Sequence, residues 1–182
     1  MEEMEIETFE GVYEPAEDSW MMCNYLPNDL GSVLEIGCGS GIISVHLAKQ
    51  GNQVTSVDIN PKAVKATKHN AQKNNVEIEI LQSNMFSAVL NRKFDTIVCN
   101  PPYLPPSENY NDPELELAVE GGARGYEFTL LLLSNAKDFL NQQGSIFMIQ
   151  SSKMGKFQAP WEKKIIKEER FFFETLSLVH FY

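Results

Sequence analysis

Short apolar runs rich in β-branched and aromatic residues recur along the chain, bounded by Gly, Asn or Pro, and they alternate with segments of helical length. Strands separated in this way fold as crossover units around a parallel sheet. The pattern predicts strands over Ser32–Ile36, Gln53–Asp58, 76–81, Phe94–Cys99, 144–150 and Glu174–Phe181. Helices are predicted over Ile42–Lys49, stopped at Gly51, over Pro61–Lys73, capped by Asn60 with Pro61 in the first turn, and over 126–140, with Gly144 closing the loop beyond. The fold class is α/β: a mostly parallel twisted sheet with helices on both faces. One stretch breaks the rhythm. Residues 101–125 carry five prolines and three glycines, and so long an irregular segment directly after a strand, at the carboxyl edge where open parallel sheets bind ligands, marks a functional site.

Composition narrows the classes. A length of 182 residues, 43% hydrophobic and 22% charged, predicts one globular domain over 1–182, and no apolar run approaches the roughly 20 residues that cross a bilayer. The acidic start Met1-Glu2-Glu3-Met4-Glu5 lacks the basic opening of an export signal. Cys23, Cys38 and Cys99 form no CxxC pair, which predicts a reducing cytoplasm, no disulfide framework and no metal site. His46, His69 and His180 show neither triad nor metal spacing. A formal net charge of -10 makes the chain a poor lone binder of nucleic acid, which is held chiefly through Lys and Arg on phosphate. The one basic concentration, Lys153, Lys156, Lys163, Lys164, Lys167 and Arg170, reads as a solvated helix face.

Candidate chemistry begins at Glu35-Ile36-Gly37-Cys38-Gly39-Ser40-Gly41, between the first predicted strand and helix. Glycines permit a sharp turn and close approach of a ligand, and Asp58 at the end of the second strand is placed to accept both ribose hydroxyls. Together they indicate an adenosine-containing ligand. A nicotinamide oxidoreductase would show G-x-G-x-x-G, whereas this loop is G-x-G-x-G. With Glu35 in front, it resembles the S-adenosylmethionine-binding motif of Rossmann-like methyltransferases. The resemblance implies that Glu35 lies near the cofactor's cationic amino acid portion, that Gly37, Gly39 and Gly41 form its loop, and that Asp58, Ile59, Asn84, Met85 and Asn100 also contact it. Where that family commonly places an acid for the adenine amine, this chain has Asn84, whose carbonyl accepts the same bond without charge assistance.

Asn100-Pro101-Pro102-Tyr103 follows the fourth predicted strand. Two prolines fix the backbone so that the Asn100 side chain and the peptide oxygen after it face one cleft. A planar NH₂ finds two acceptors there, its lone pair turns toward a methyl donor, and Tyr103 can stack on the flat group. Such a displacement depends on orientation and desolvation more than on a strong base.

The tetrapeptide and glycine loop resemble the HemK-like methyltransferases that modify the glutamine of the GGQ motif in translation termination factors. Val12-Tyr13-Glu14-Pro15-Ala16-Glu17-Asp18-Ser19, Gly121-Gly122-Ala123-Arg124-Gly125 and Glu174-Thr175-Leu176-Ser177 resemble the short archaeal and eukaryotic branch. The resemblance implies a class I methyltransferase fold with an antiparallel C-terminal strand, and S-adenosylmethionine as cofactor with S-adenosylhomocysteine as product. It also implies that residues 1–30 cover the cofactor, with Tyr13, Glu17, Asp18 and Ser19 as contacts. Bacterial relatives add an N-terminal docking domain, so a termination factor must here meet another surface or protein. Relatives of this length are often activated by a small zinc-binding protein that adds a strand to a sheet edge, for which Glu77-Ile78-Glu79-Ile80-Leu81 is the candidate. The segment from Arg170 to Tyr182 looks short for two strands and a loop, and Phe171-Phe172-Phe173 reads as a strand or as part of an exposed contact surface, with core packing the default. Two alternatives stay open: an RNA or DNA base amino methyltransferase, since base-modifying enzymes share the tetrapeptide, and a noncatalytic cofactor-binding subunit.

Overall fold

A computed structural model describes residues 4–106, 116 and 118–182. Seven strands form one sheet in the order β3-β2-β1-β4-β5-β7-β6. They are β1 Ser32–Ile36, β2 Gln53–Asp58, β3 Glu79–Gln82, β4 Phe94–Cys99, β5 Leu140–Ser151, β6 Lys163–Phe171 and β7 Glu174–Phe181. The first five are parallel, and β7 runs antiparallel to both β5 and β6. The helices that accompany them include α1 Glu17–Tyr25, α2 Ile42–Lys49, α3 Pro61–Lys73 and α4 Glu127–Asn135. No described helix is long and apolar enough to cross a membrane.

The central strands are apolar on both sides because helices and loops cover both. Leu34, Ile36, Ile97, Cys99, Ile146 and Met148 meet α4 through Leu132 and Leu133, and meet Ala136 just beyond it. Their neighbours Val33, Val98, Phe147 and Ile149 meet α1 and α2 through Met21, Met22, Ile43 and Leu47. Successive residues of a strand face opposite ways, so two separate cores follow from one apolar run. α3 begins as the sequence predicts, with Asn60 Oδ1 accepting from Lys62 N at 2.9 Å and Pro61 in the first turn. On its outer side, the amides of Asn70 and Asn74 each exchange a pair of hydrogen bonds with the backbone of Glu7 and Glu5, at 2.6 to 3.0 Å. Side-chain amides thus imitate a strand ladder and pin the N-terminal segment along the helix.

Five expectations change. β3 starts at Glu79, because Asn75 turns the chain with φ 55° and the residues after it pack beside α3 instead of pairing. The third predicted helix ends at Asn135 and tightens into a 3₁₀ turn over Ala136–Phe139, so β5 starts at Leu140. The solvated helix face does not exist as such: Lys163, Lys164, Lys167 and Arg170 lie on β6, an edge strand. Its mostly exposed residues hide the alternation that announces a strand, and charges on an edge discourage pairing with other chains. The last two strands do fit, since only Phe172 and Phe173 join them. Those two side chains are exposed instead of packed in the core.

Candidate active site

The crossover direction reverses between β1 and β4, with α2 over one face and α4 over the other, and ligands enter such sheets at this switch point. Beyond the carboxyl ends of these strands lies a cavity of about 510 Å³, within the usual range for small-molecule sites. Of the residues singled out from the sequence, Tyr13, Asp18, Ser19, Glu35, Gly37, Gly39, Asp58, Ile59, Asn84, Met85 and Asn100 through Tyr103 border it. Glu17 and Gly41 do not. Glu17 is exposed in the first turn of α1, where an acid complements the helix dipole. A Cβ on Gly41 would lie 2.8 Å from the Thr67 side chain, so this glycine lets α2 approach α3 behind the cavity.

Gly37 and Gly39 serve differently. Both have positive φ, 79° and 51°, and a Cβ on either would meet no atom within 4 Å. They present bare backbone to open space. The turn is held from below by Gly37 N donating to Val57 O at 2.8 Å and by Gly39 N donating to Asp58 Oδ2 at 3.0 Å. Asp58 Oδ1 accepts from Asn60 N at 2.9 Å, so each carboxylate oxygen keeps a second lone pair for a ligand. Burial raises the Asp58 pKa, and its backbone donors oppose that rise.

Glu35 is 1% exposed. Its Oε2 accepts from Ser44 Oγ, which also meets Ser56 Oγ, while its Oε1 has no partner. Burial, reinforced by the nearby Asp58, pushes its pKa up to about 8, with Ser44 opposing. Asn100 presents a second buried orphan, Oδ1. Buried polar atoms are satisfied in the great majority of cases, so two unsatisfied acceptors bordering one cavity identify where a donor-rich ligand belongs.

The loop that carries Asn100 is braced on its outer side. Leu104 N donates to Val119 O and Gly121 N to Leu104 O, both at 2.9 Å. A Cβ on Gly121 would lie 2.4 Å from Pro102 O, and one on Gly125 would lie 2.4 Å from Tyr103 O. The glycines of 121–125 are therefore the reason two backbones can touch here. On the inner side, Asp18 Oδ2 accepts from Tyr13 OH at 3.0 Å and from Tyr103 OH at 3.1 Å, and Oδ1 accepts from Ser19 N at 2.6 Å. Asp18 is 2% exposed, and burial together with its negative charge holds both tyrosines well above the ordinary phenol range. One carboxylate thus joins the N-terminal segment to the Asn-Pro-Pro-Tyr loop.

Sequence reading missed the wall opposite, formed by Val119 and by Phe128 and Leu131 of α4. The available signal was Leu131, an apolar residue on the exposed side of a short helix. Among the described residues no group of three His, Cys, Asp or Glu could hold a metal ion.

The strand order, the switch-point cavity and the loop after β4 together define a Rossmann-like methyltransferase of class I. Comparison with known proteins agrees, for the methyltransferase small domain family matches residues 4–116, and the chain belongs to that family. It is 43% identical over 148 residues to a Methanocaldococcus jannaschii protein assigned as a protein N5-glutamine methyltransferase, covering 80% of this chain and 75% of that one. It is 34% identical over 121 residues to the release factor glutamine methyltransferase of Geobacter sulfurreducens, covering 62% of this chain and 43% of that one. Its fold matches the E. cuniculi Mtq2-Trm112 complex, responsible for methylation of the eRF1 translation termination factor, with a TM-score of 0.71 at 20% identity over 94% of this chain and 98% of that one.

Proposed function

We propose that this chain transfers a methyl group from S-adenosylmethionine to the side-chain amide nitrogen of the glutamine in the GGQ motif of a translation termination factor, releasing S-adenosylhomocysteine. The observation that carries this reading is the Asn100 Oδ1 acceptor, buried without a partner at the cavity on a loop braced from both sides. The printed functions of the similar glutamine methyltransferases support it.

The residues fit the cofactor. The lone acceptor on Glu35 suits a cationic amino acid group, the bare backbone at Gly37 and Gly39 allows close approach, and Asp58 has lone pairs for ribose hydroxyls. Ile59, Asn84 and Met85 border the side suited to the adenine. Tyr13 and Ser19 cover it, with Asp18 holding Tyr13 in place. When bound, S-adenosylmethionine supplies a methyl group already activated on a sulfonium.

The chain itself supplies orientation. Asn100 Oδ1 and the peptide oxygen that follows it accept the two N–H bonds of the glutamine amide, which fixes the nitrogen with its lone pair toward the donor. The Pro101-Pro102 backbone restricts that geometry, and Asp18 fixes the Tyr103 ring beside the flat amide. Asn100 Oδ1 is itself buried, so this acceptor acts at low dielectric where it is strengthened. As the N–C bond forms at the expense of the methyl group's bond to sulfur, positive charge passes to the nitrogen against the two oxygens, and the surplus amide proton is lost to solvent as the product leaves. Residues 1–182 act as one catalytic domain in the cytoplasm. A small zinc-binding partner pairs with the β3 edge, where the sheet ends at Glu79–Gln82.

The test is transfer of labelled methyl from S-adenosylmethionine to a recombinant termination factor, with the modified residue located by mass spectrometry. Label on the GGQ glutamine, abolished by Asn100→Ala, is the expected result. Label on tRNA, rRNA or DNA fragments and none on the factor would establish the base-modifying alternative.

A further inference from the structure

The β6–β7 hairpin turns through Phe172 and Phe173, which are 101% and 92% exposed. The turn does not ask for them. Two-residue hairpins favour Asn, Asp or Gly at positive φ, and neither phenylalanine adopts it. Packing does not ask for them either. Among the described residues neither joins a core cluster, whereas Phe171 beside them packs on the core shared by α1 and α2. Adjacent exposed phenylalanines invite association, so their presence calls for a partner.

Their position says which one. Ser151 pairs with Leu176, and Phe171 with Glu174, which puts the turn beyond the carboxyl end of β5, on the same sheet edge as Asn100 and the glycine loop. Phe171 and Tyr103 pack against the same core, and Glu174 accepts a hydrogen bond from Ser151 Oγ at the carboxyl end of β5. The aromatic tip therefore flanks the cavity on the Tyr103 side. Exposed Arg170 precedes it, and Lys153, ion-paired with Glu174 at 3.3 Å, lies behind it.

A cavity of about 510 Å³ receives a cofactor and one side chain. The body of a macromolecular acceptor must therefore lie outside, across this edge. Aromatic residues and arginine dominate the energetics of protein interfaces. Around the tip Glu168, Glu169 and Glu174 are balanced by Lys153, Lys167 and Arg170, and the net charge of -10 on the chain disfavours a polyanion and favours a protein surface.

We propose that Phe172 and Phe173 anchor the acceptor protein, seating the apolar surface that flanks its methylated glutamine beside the cavity. This rests on the function proposed above. The measurement is initial rate against concentration of intact termination factor, for the wild type and for the double variant Phe172→Ser/Phe173→Ser, each alone and copurified with the small zinc-binding partner. The expected result is a KM for the factor raised about tenfold or more, with kcat and calorimetric affinity for S-adenosylhomocysteine within about twofold. The conservative pair Phe172→Leu/Phe173→Leu should recover most of the KM. Wild-type turnover with unchanged KM in the serine variant overturns this inference alone, as does a serine variant that loses only self-association on gel filtration or only binding to an RNA oligomer. No turnover of the factor by any wild-type preparation overturns both this inference and the function it rests on.

Discussion

Replacing Glu35 by glutamine should make the protein more stable at neutral pH while it loses its cofactor. The Glu35 pKa rises from 4.5 to about 8 in the folded chain, so between those values the native state binds a proton that the unfolded state has released. Stability then falls as pH rises through that window, and levels off below it and above it. At pH 7 the loss is the interval from 4.5 to 7, on the order of 3 kcal/mol at 1.36 kcal/mol per unit. Glutamine carries no such penalty, and its oxygen can accept from Ser44, but its NH₂ then takes the place of the orphan Oε1 and returns about 1 kcal/mol as an unsatisfied donor. The net gain of about 2 kcal/mol corresponds to a Tm higher by roughly 4–8 °C for a domain of this size. Scanning calorimetry of both proteins from pH 5 to 9 should show the difference growing with pH and vanishing near pH 5. In parallel, titration with S-adenosylmethionine should show at least about a tenfold loss of affinity in the variant. For the wild type at pH 7, comparison of two buffers should show a proton released on binding, because Glu35 ionises to meet a cation. Equal melting temperatures at every pH, or binding with no proton release, would refute the placement of a titrating carboxyl against the cofactor.

Asn100→Ala should lower kcat by about a hundredfold or more, as loss of one preorganised polar contact in a dry site does, with a much smaller change in S-adenosylhomocysteine affinity by calorimetry. Asp18→Ala strands two half-buried tyrosine hydroxyls and should cost about 1–3 kcal/mol of stability in urea melts. It should also lower kcat more than Tyr13→Phe, which leaves the Tyr103 bond intact. Gly121→Ala drives a Cβ to 2.4 Å from Pro102 O; it should depress kcat by displacing the Asn-Pro-Pro-Tyr backbone, while Gly51→Ala, at a positive φ of 89° but without such a contact, should leave kcat near wild type.

The parallel half of the sheet was legible because its strands are buried on both faces. Val33-Leu34 and Ile97-Val98 are apolar in succession, and the punctuating glycines, Asn60 and Pro61 stand at the junctions. The edge strand β6 was not legible, since Lys163 through Arg170 have no face to bury and so no period to display. In the site, the glycine loop and Asn-Pro-Pro-Tyr could be read locally because each is contiguous and chemically constrained. What escaped was long-range. Nothing in the sequence says that Asp18 will accept from a tyrosine 85 residues onward. Gly121 and Gly125 were recognisable as a motif, but their reason, contact with the carbonyls of Pro102 and Tyr103, appears only when the two backbones are brought together.

Several departures from the rules of a stable fold meet at one sheet edge. Glu35 and Asn100 leave buried oxygens unpaired, Met85 holds a positive φ of 49° beside the cavity, and Phe172 and Phe173 stand exposed in a turn. The first three carry a folding penalty that a glutamine, an alanine or a glycine would reduce. Other departures lie elsewhere, in the unpaired buried atoms of His46, Gln50, Thr129, Gln150 and His180 and the positive φ of Asn75, Asn91 and Gln143, but among the described residues only the unpaired atoms of Glu35 and Asn100 belong to residues bordering the cavity. That coincidence at the carboxyl ends of β1 and β4 argues that these two are satisfied in another state, with a cation at Glu35 and an amide at Asn100. That grouping locates the site without reference to any motif, and it coincides with the site the motifs mark.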